Sequence, residues 1–211
     1  MMRTTVILAV LGMVSTIMAQ SDQYLPMLNA GEQGRIQAGE IVLREVETKQ
    51  EKGQTIEVIG LMPAPGELLV KILTDYEKYP EFMSAVNKIE TMDMSGDTAT
   101  INYILNPMLG LVKRYRINIG PTRLDEKVWK IEWQLVVWPE LSEMETIGDT
   151  QGYWLIVEQS ENRSLVHYYA YSDPGPVPFG FGGLVNALGR SNIEKVFEET
   201  RDRAEKLIGK R

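Results

Sequence analysis

The sequence predicts an α+β fold: an antiparallel sheet with two short helices after its first strands and one long helix at the C-terminus. Three observations predict it. Trp129, Ile131, Trp133 and Leu135 alternate with Lys130, Glu132 and Gln134, and a period of two means a strand with one dry face and one wet face. Six apolar runs between Asn87 and Tyr171 are joined by short polar turns, the pattern of an antiparallel meander. Ile193, Val196, Phe197, Thr200, Ala204 and Leu207 then recur at helical spacing, with Glu194, Glu198, Glu199, Arg201 and Asp202 on the other face. Each apolar side chain buried from water contributes roughly 1.5–3 kcal/mol. The aromatic face of the Trp129–Leu135 strand must therefore lie against a helix or a hydrophobic ligand.

The elements follow in chain order. Met1-Met2-Arg3, the apolar run Thr4 to Met18 and Ala19 before Gln20 have the basic start, short apolar stretch and small residue of a secretory signal peptide. Residues 1–19 are expected to be that signal, which places the mature chain outside the cytoplasm, periplasmic or secreted. Residues 20–39 form an N-terminal extension, with a short helix expected to end near Gly31. Ile41–Thr48 and Thr55–Leu61 read as a hairpin closed by Lys49-Gln50-Glu51-Lys52-Gly53. Met62-Pro63-Ala64-Pro65 stops it, and Pro65 suits a helix start, where its missing N–H is not needed. Gly66–Leu73 is read as that helix. Asp75 is read as the N-cap of a second helix reaching Ala85, interrupted by Tyr79-Pro80. The meander strands are Asn87–Met94, Ala99–Leu105, Lys113–Gly120, Val128–Val137, Gln151–Glu158 and Leu165–Tyr171, with turns placed at Ser95-Gly96-Asp97, at Pro121-Thr122 with Asp125-Glu126, and at Ser160-Glu161-Asn162. The last helix is read from Leu184 to Ile208.

Composition excludes several chemistries. The chain of 211 residues has no cysteine and one histidine. That removes disulfides, thiolate nucleophiles and the His- or Cys-rich metal centres. A formal net charge of -7 argues against a nucleic-acid partner; Lys113-Arg114-Tyr115-Arg116 is the one basic cluster inside the core region. No residue pattern calls for a cofactor.

Asp75-Tyr76-Glu77-Lys78-Tyr79-Pro80-Glu81-Phe82-Met83, Gly152-Tyr153-Trp154 and Tyr171-Ser172-Asp173-Pro174-Gly175 are similar to local signatures of the START-like, or SRPBCC, superfamily. That superfamily holds polyketide cyclases, coenzyme Q-binding proteins and lipid-transfer domains. The resemblance spans about Glu40 to Leu207, the domain being 40–208. It implies a helix-grip fold, in which a curved sheet wraps the long C-terminal helix around a hydrophobic cavity. Alternation then assigns the lining: Ala99, Ile101, Tyr103 and Leu105; Tyr115, Ile117 and Ile119; Trp129, Ile131, Trp133 and Leu135. In the last two strands both faces are apolar. One choice turns Tyr153, Leu155, His167, Tyr169 and Tyr171 inward; the other turns Trp154, Ile156, Val166, Tyr168 and Ala170 inward. The family pattern favours the second. That choice leaves an apolar convex face needing cover, from the N-terminal segment or a partner subunit.

The candidate ligand-binding residues are Ile101, Tyr103, Leu105, Tyr115, Ile117, Trp129, Trp133, Leu135, Trp154, Tyr168, Phe179 and Phe181. Phe179 and Phe181 belong to a glycine-flanked apolar gate, Val177 to Leu184, with Met108-Leu109-Gly110-Leu111 as the opposing lip. Apolar loop tips of this kind line a pocket mouth or make transient contact with a membrane. No catalytic residue is assigned. His167 lacks a Ser or Cys partner at a recognisable spacing and reads as structural. Glu140, Glu143 and Glu145 read as a solvated loop. The functional expectation is an exported binding or carrier protein for a hydrophobic small molecule, lipid, quinone or polyketide-like. Alternatives are a cyclase or aromatase using the same cavity, with Tyr103 and Tyr115 donating to a carbonyl, and an interaction module using the convex face.

Overall fold

The computed structural model describes residues 23–48, 50–106, 112–177 and 182–209, with the side chains of the last stretch from residue 189 onward. The residues assigned to the signal peptide, the lip at 108–111, and Phe179 and Phe181 lie outside the described residues. Among the described residues, eight strands form one antiparallel sheet: β1 (Val42–Val46), β2 (Gln54–Met62), β3 (Val86–Ser95), β4 (Thr98–Leu105), β5 (Arg114–Asp125), β6 (Val128–Val136), β7 (Asp149–Ser160) and β8 (Arg163–Asp173). Their order across the sheet is β1-β2-β8-β7-β6-β5-β4-β3. The six-strand meander is there as expected, and the first hairpin docks antiparallel on its last strand. The helices are α1 (Ala30–Gln37), α2 (Gly66–Thr74) and α3 (Gly182–Ile208), with a 3₁₀ turn at Tyr76–Glu81.

Helix α1 starts where the sequence reading placed a helix end. Its start signal is Asn29, whose side chain accepts from Glu32 N–H while Glu32 accepts from Asn29 N–H, a complete capping box. The expected second helix after Asp75 is instead the short 3₁₀ turn, and Asp75 makes no side-chain cap bond. Pro80 inside it brings no N–H and cannot sustain an α-helical ladder; the Tyr79 carbonyl closes the turn by accepting from Phe82 and Met83. Pro65 sits one position before α2, as its N-cap. Strand β5 also runs past the turn expected at Pro121. Its pairing with β4 ends at Ala99↔Ile119, while its pairing with β6 continues to Asp125↔Val128. The extra residues have a ladder on one side only, where a proline is tolerated. Gly96, at φ +61, supplies the left-handed conformation that closes the β3–β4 hairpin.

The concave face of the sheet holds the main core. Ile101, Ile131, Ile156, Val58 and Val166 are fully buried there, and Phe197, Thr200 and Ala204 of α3 face them. Gly60 admits the Phe197 ring, which a Cβ would meet at 3.1 Å. The 3₁₀ turn and α2 close the concavity toward the C-terminal half of α3, with Leu69, Leu73, Tyr76 and Tyr79 buried.

The second of the two orientations for β7 and β8 is the observed one. Trp154, Ile156, Val166, Tyr168 and Ala170 belong to the concave core, whereas Leu155, Val157 and Leu165 face away. That convex face is covered by the N-terminal segment. Ile36 with Leu25 and Leu28 packs against Val42, Ile59 and Leu165. Tyr24 and Leu25 pack against Val128, Leu155 and Val157.

Candidate functional site

The concave face is not filled along its whole length. The cross-strand row Ile119↔Trp133↔Gly152↔Ala170 sets one indole beside two small residues. A Cβ on Gly152 would lie 2.4 Å from the Trp133 ring, so the glycine makes room for the indole to lie across β7. Beyond Phe197 the helix also thins, presenting Gly189, Asn192, Ile193 and Val196 toward the sheet. The result is a cavity of about 440 Å³ between the sheet and the N-terminal half of α3, within the size range of small-molecule sites.

Its walls are aromatic. Tyr103 and Tyr115, paired across β4 and β5, stack at 4.9 Å with planes 4° apart. Trp154 and Tyr168, paired across β7 and β8, stack at 3.9 Å. Trp133 tilts against Tyr168 at 5.7 Å, and its indole N–H donates to Thr150 Oγ1 at 3.2 Å. The Tyr79 hydroxyl is committed, donating to the Leu73 carbonyl at 2.6 Å. Among the described residues the hydroxyls of Tyr103, Tyr115 and Tyr168 make no hydrogen bond, yet no side-chain polar atom is both fully buried and unpartnered. These three hydroxyls therefore open into the cavity. Burial holds all three phenols above their ordinary pKa, with neighbouring phenols adding to it at Tyr103 and Tyr115. They are neutral hydrogen-bond donors at physiological pH.

Seven of the twelve candidate residues line this cavity: Tyr103, Leu105, Tyr115, Ile117, Trp133, Trp154 and Tyr168. Val177, from the expected gate, lines it too. Three candidates do not line it. Ile101 is fully buried in the core below the cavity. Trp129 is covered by α2, with Gly66 lying directly on its ring. Leu135 is half-buried on the cavity side of β6, beyond the lining. Alternation gives the face of a strand and not the depth along it, so it does not separate these three from the rest.

Among the lining residues that the sequence reading does not assign to the cavity, such as Met83, Ile147, Thr150 and Asn192, Lys113 is the charged one. It has the parity of Tyr115, Ile117 and Ile119, so alternation already pointed it inward. The run Lys113-Arg114-Tyr115-Arg116 nevertheless reads as one basic cluster. The structure separates them: Arg114 pairs with Glu145, and Arg116 bonds Asn102 and lies over the Trp138 ring. Lys113 is 8% exposed. Its ammonium donates to the Thr146 carbonyl at 2.7 Å and the Pro176 carbonyl at 3.1 Å. Burial pulls its pKa below the ordinary lysine value, and the charge of Asp173 offsets part of that.

His167 lies on the convex face, away from the cavity. Its Nε2 is 3.0 Å from Glu57 Oε2, and Glu57 also takes a bond from Arg44, which binds Glu32 at the start of α1. A carboxylate only accepts, so Nε2 carries the proton and the ring is a structural donor. Burial alone would raise the Glu57 carboxyl, but the bonds and charges of His167 and Arg44 outweigh it and hold it below the usual range. Among the described residues there is no group of three or more acidic or His side chains placed to hold a metal ion, and no helix is long and apolar enough to cross a membrane.

No protein-family model matches the chain, and no curated protein matches it in sequence. Solved structures do match. The chain is similar to a STAR-related lipid transfer protein from Xanthomonas axonopodis, with a TM-score of 0.68 and 14% identity over 78% of this chain and 93% of that one. It is similar to human StAR-related lipid transfer protein 5, at 0.65 and 8% over 93% and 96%. It is also similar to the Zhui aromatase/cyclase from Streptomyces sp. R1128, at 0.59 and 12% over 79% and 96%. At these identities the likeness is one of fold. The chain has the START-like helix-grip fold.

Proposed function

We propose that this protein is an exported carrier that holds a hydrophobic small molecule in the cavity between the sheet and α3. The observation that carries the reading is the cavity wall: stacked aromatic pairs enclosing about 440 Å³, with three tyrosine hydroxyls that have no partner among the described residues. Apolar walls with a few convergent polar groups suit a lipid, quinone or polyketide-like ligand. The names of its structural neighbours, two of them lipid transfer proteins, support that class. Export rests on the basic start, apolar run and Ala19 of the first 19 residues. Transient membrane contact during loading is part of the proposal. Val112, Val137 and Met144 are exposed; Val112 precedes the lining residue Lys113, and Met144 lies three residues before the lining residue Ile147.

Native mass spectrometry of protein purified from its own host, followed by organic extraction, tests the reading. A copurifying apolar molecule released by extraction is the expected result. Failure to retain any apolar molecule, together with no binding of a neutral fluorescent probe, would refute it. A second reading, a cyclase or aromatase, is favoured by the neutral phenols of Tyr103 and Tyr115, which can donate to a developing enolate oxygen. It predicts turnover of a poly-β-ketone that is lost in the Tyr103→Phe, Tyr115→Phe double variant.

A further inference from the structure

Among the described lining residues of the cavity, Lys113 is the one charged side chain; none is an aspartate or glutamate. An ammonium has three N–H donors, and two are used on the Thr146 and Pro176 carbonyls. Among the described residues no carboxylate lies within ion-pair distance of it. Asp173 acts on it from further away, with Oδ1 already accepting from Gly175 N–H. Buried charges are normally paired, since removing one from water without a partner is costly. The other polar side chains that line the cavity carry no formal negative charge; among them Tyr103 and Tyr168 are each 9% exposed, with hydroxyls that have no protein partner among the described residues. Burial keeps those phenols neutral, so none of them supplies the missing negative charge.

Resting on the carrier reading above, we propose that the ligand is a single-chain amphiphile with an acidic head, seated on the free N–H of Lys113, and with its tail among the aromatic walls. Size limits the tail. About 440 Å³ at roughly 30 Å³ per water-sized group holds about 15 such groups. That is the size of one long acyl or prenyl-like chain. The head is a carboxylate or a phosphate monoester, acidic groups that a lysine ammonium binds through charge-assisted hydrogen bonds.

The test is displacement of neutral N-phenyl-1-naphthylamine from the full chain at pH 8. The competitors are hexadecanoate, hexadecyl phosphate and hexadecanol, each below its aggregation concentration. At least one acid should displace the probe at a concentration ten-fold or more below that needed for the alcohol, and which acid does so identifies the head. Lys113→Met should reduce that acid to the level of the alcohol, each displacement being referred to the variant's own probe affinity. Lys113→Arg should keep the preference. Equal displacement by acids and alcohol in the unmodified protein overturns the proposal while leaving the carrier reading standing, as does a preference that survives in Lys113→Met. Absence of probe binding overturns both. Should Lys113→Met not fold, the unmodified protein and Lys113→Arg decide the matter alone.

Discussion

At the scale of residues, two tryptophans on one face of β6 have different work. Trp129 lies under α2 and is 7% exposed, whereas Trp133 is half-buried and faces the cavity. Trp129→Ala should lower stability by about 3–5 kcal/mol, as for other buried aromatics, measured by urea unfolding. Trp133→Ala should cost less than half of that and weaken binding of a neutral apolar probe at least ten-fold; an equal loss of stability at the two sites would make Trp133 a packing residue. Glu57 gives a second residue-scale prediction. Its carboxyl is held below the ordinary range in the folded chain, so its stabilising effect is complete above the unfolded value near 4.3 and is lost as pH falls through the folded value. Glu57→Gln should cost about 1–3 kcal/mol at pH 6, because it leaves Arg44 and His167 with a weaker acceptor. The gap between the two proteins should shrink as the pH is lowered to 3. A gap that stays constant would mean the carboxyl is not ionised in the native state. Neither role was visible from local sequence, since Glu57 and His167 are brought together by the β2–β8 register across 110 positions.

At the scale of elements, what was legible is what depends on periodicity. The faces of β4, β5 and β6 follow from alternation, and the buried stripe Phe197, Thr200 and Ala204 follows from helical spacing. What was not legible depends on how far one element reaches over another. Helix α2 provides the clearest instance. Gly66 starts it, its N–H donates to Glu158 Oε2 at 2.8 Å, and a Cβ there would lie 2.2 Å from the Trp129 ring. Nothing in residues 66–74 says that this helix seats on β6 and takes Trp129 out of the cavity wall. Gly66→Ala should therefore destabilise by about 1–3 kcal/mol, the usual cost of overpacking, despite the better helix propensity of alanine. Thermal unfolding checks it; a gain in stability would show that α2 sits more loosely on the ring. The N-cap calls for the same lesson in reverse. Asn29 with Glu32 is a readable local signal and marks the true start of α1, whereas Gly31 reads as an end.

At the scale of the whole molecule, the protein has two apolar interfaces on one sheet. The concave face takes α3 and leaves a cavity, while the convex face takes the chain's own N-terminal segment. The need for a cover was legible, because β7 and β8 are apolar on both faces. The sequence left its identity open between the N-terminal segment and a partner subunit, because residues 23–39 carry little apolar content beyond Tyr24, Leu25, Met27, Leu28 and Ile36. Charge fastens the cover as well: Arg44 on β1 bonds Glu32 and the Met27 carbonyl, and Arg35 bonds Glu40 and the Ile41 carbonyl. The Arg35–Glu40 pair is more than half-exposed and contributes little, while Arg44–Glu32 is more sheltered; the apolar contacts of Ile36, Leu25 and Leu28 dominate. A chain beginning at Glu40 should thus expose Val128, Leu155, Val157, Ile59 and Leu165 together. It should lose roughly 3 kcal/mol or more of stability and gain either dye binding on the bare face or self-association, read by light scattering. Cavity binding of the neutral probe should survive in whatever fraction remains folded, because the two faces share strands and not side chains. A truncated chain as stable and as monomeric as the full one would show that the segment rests on the sheet without holding it.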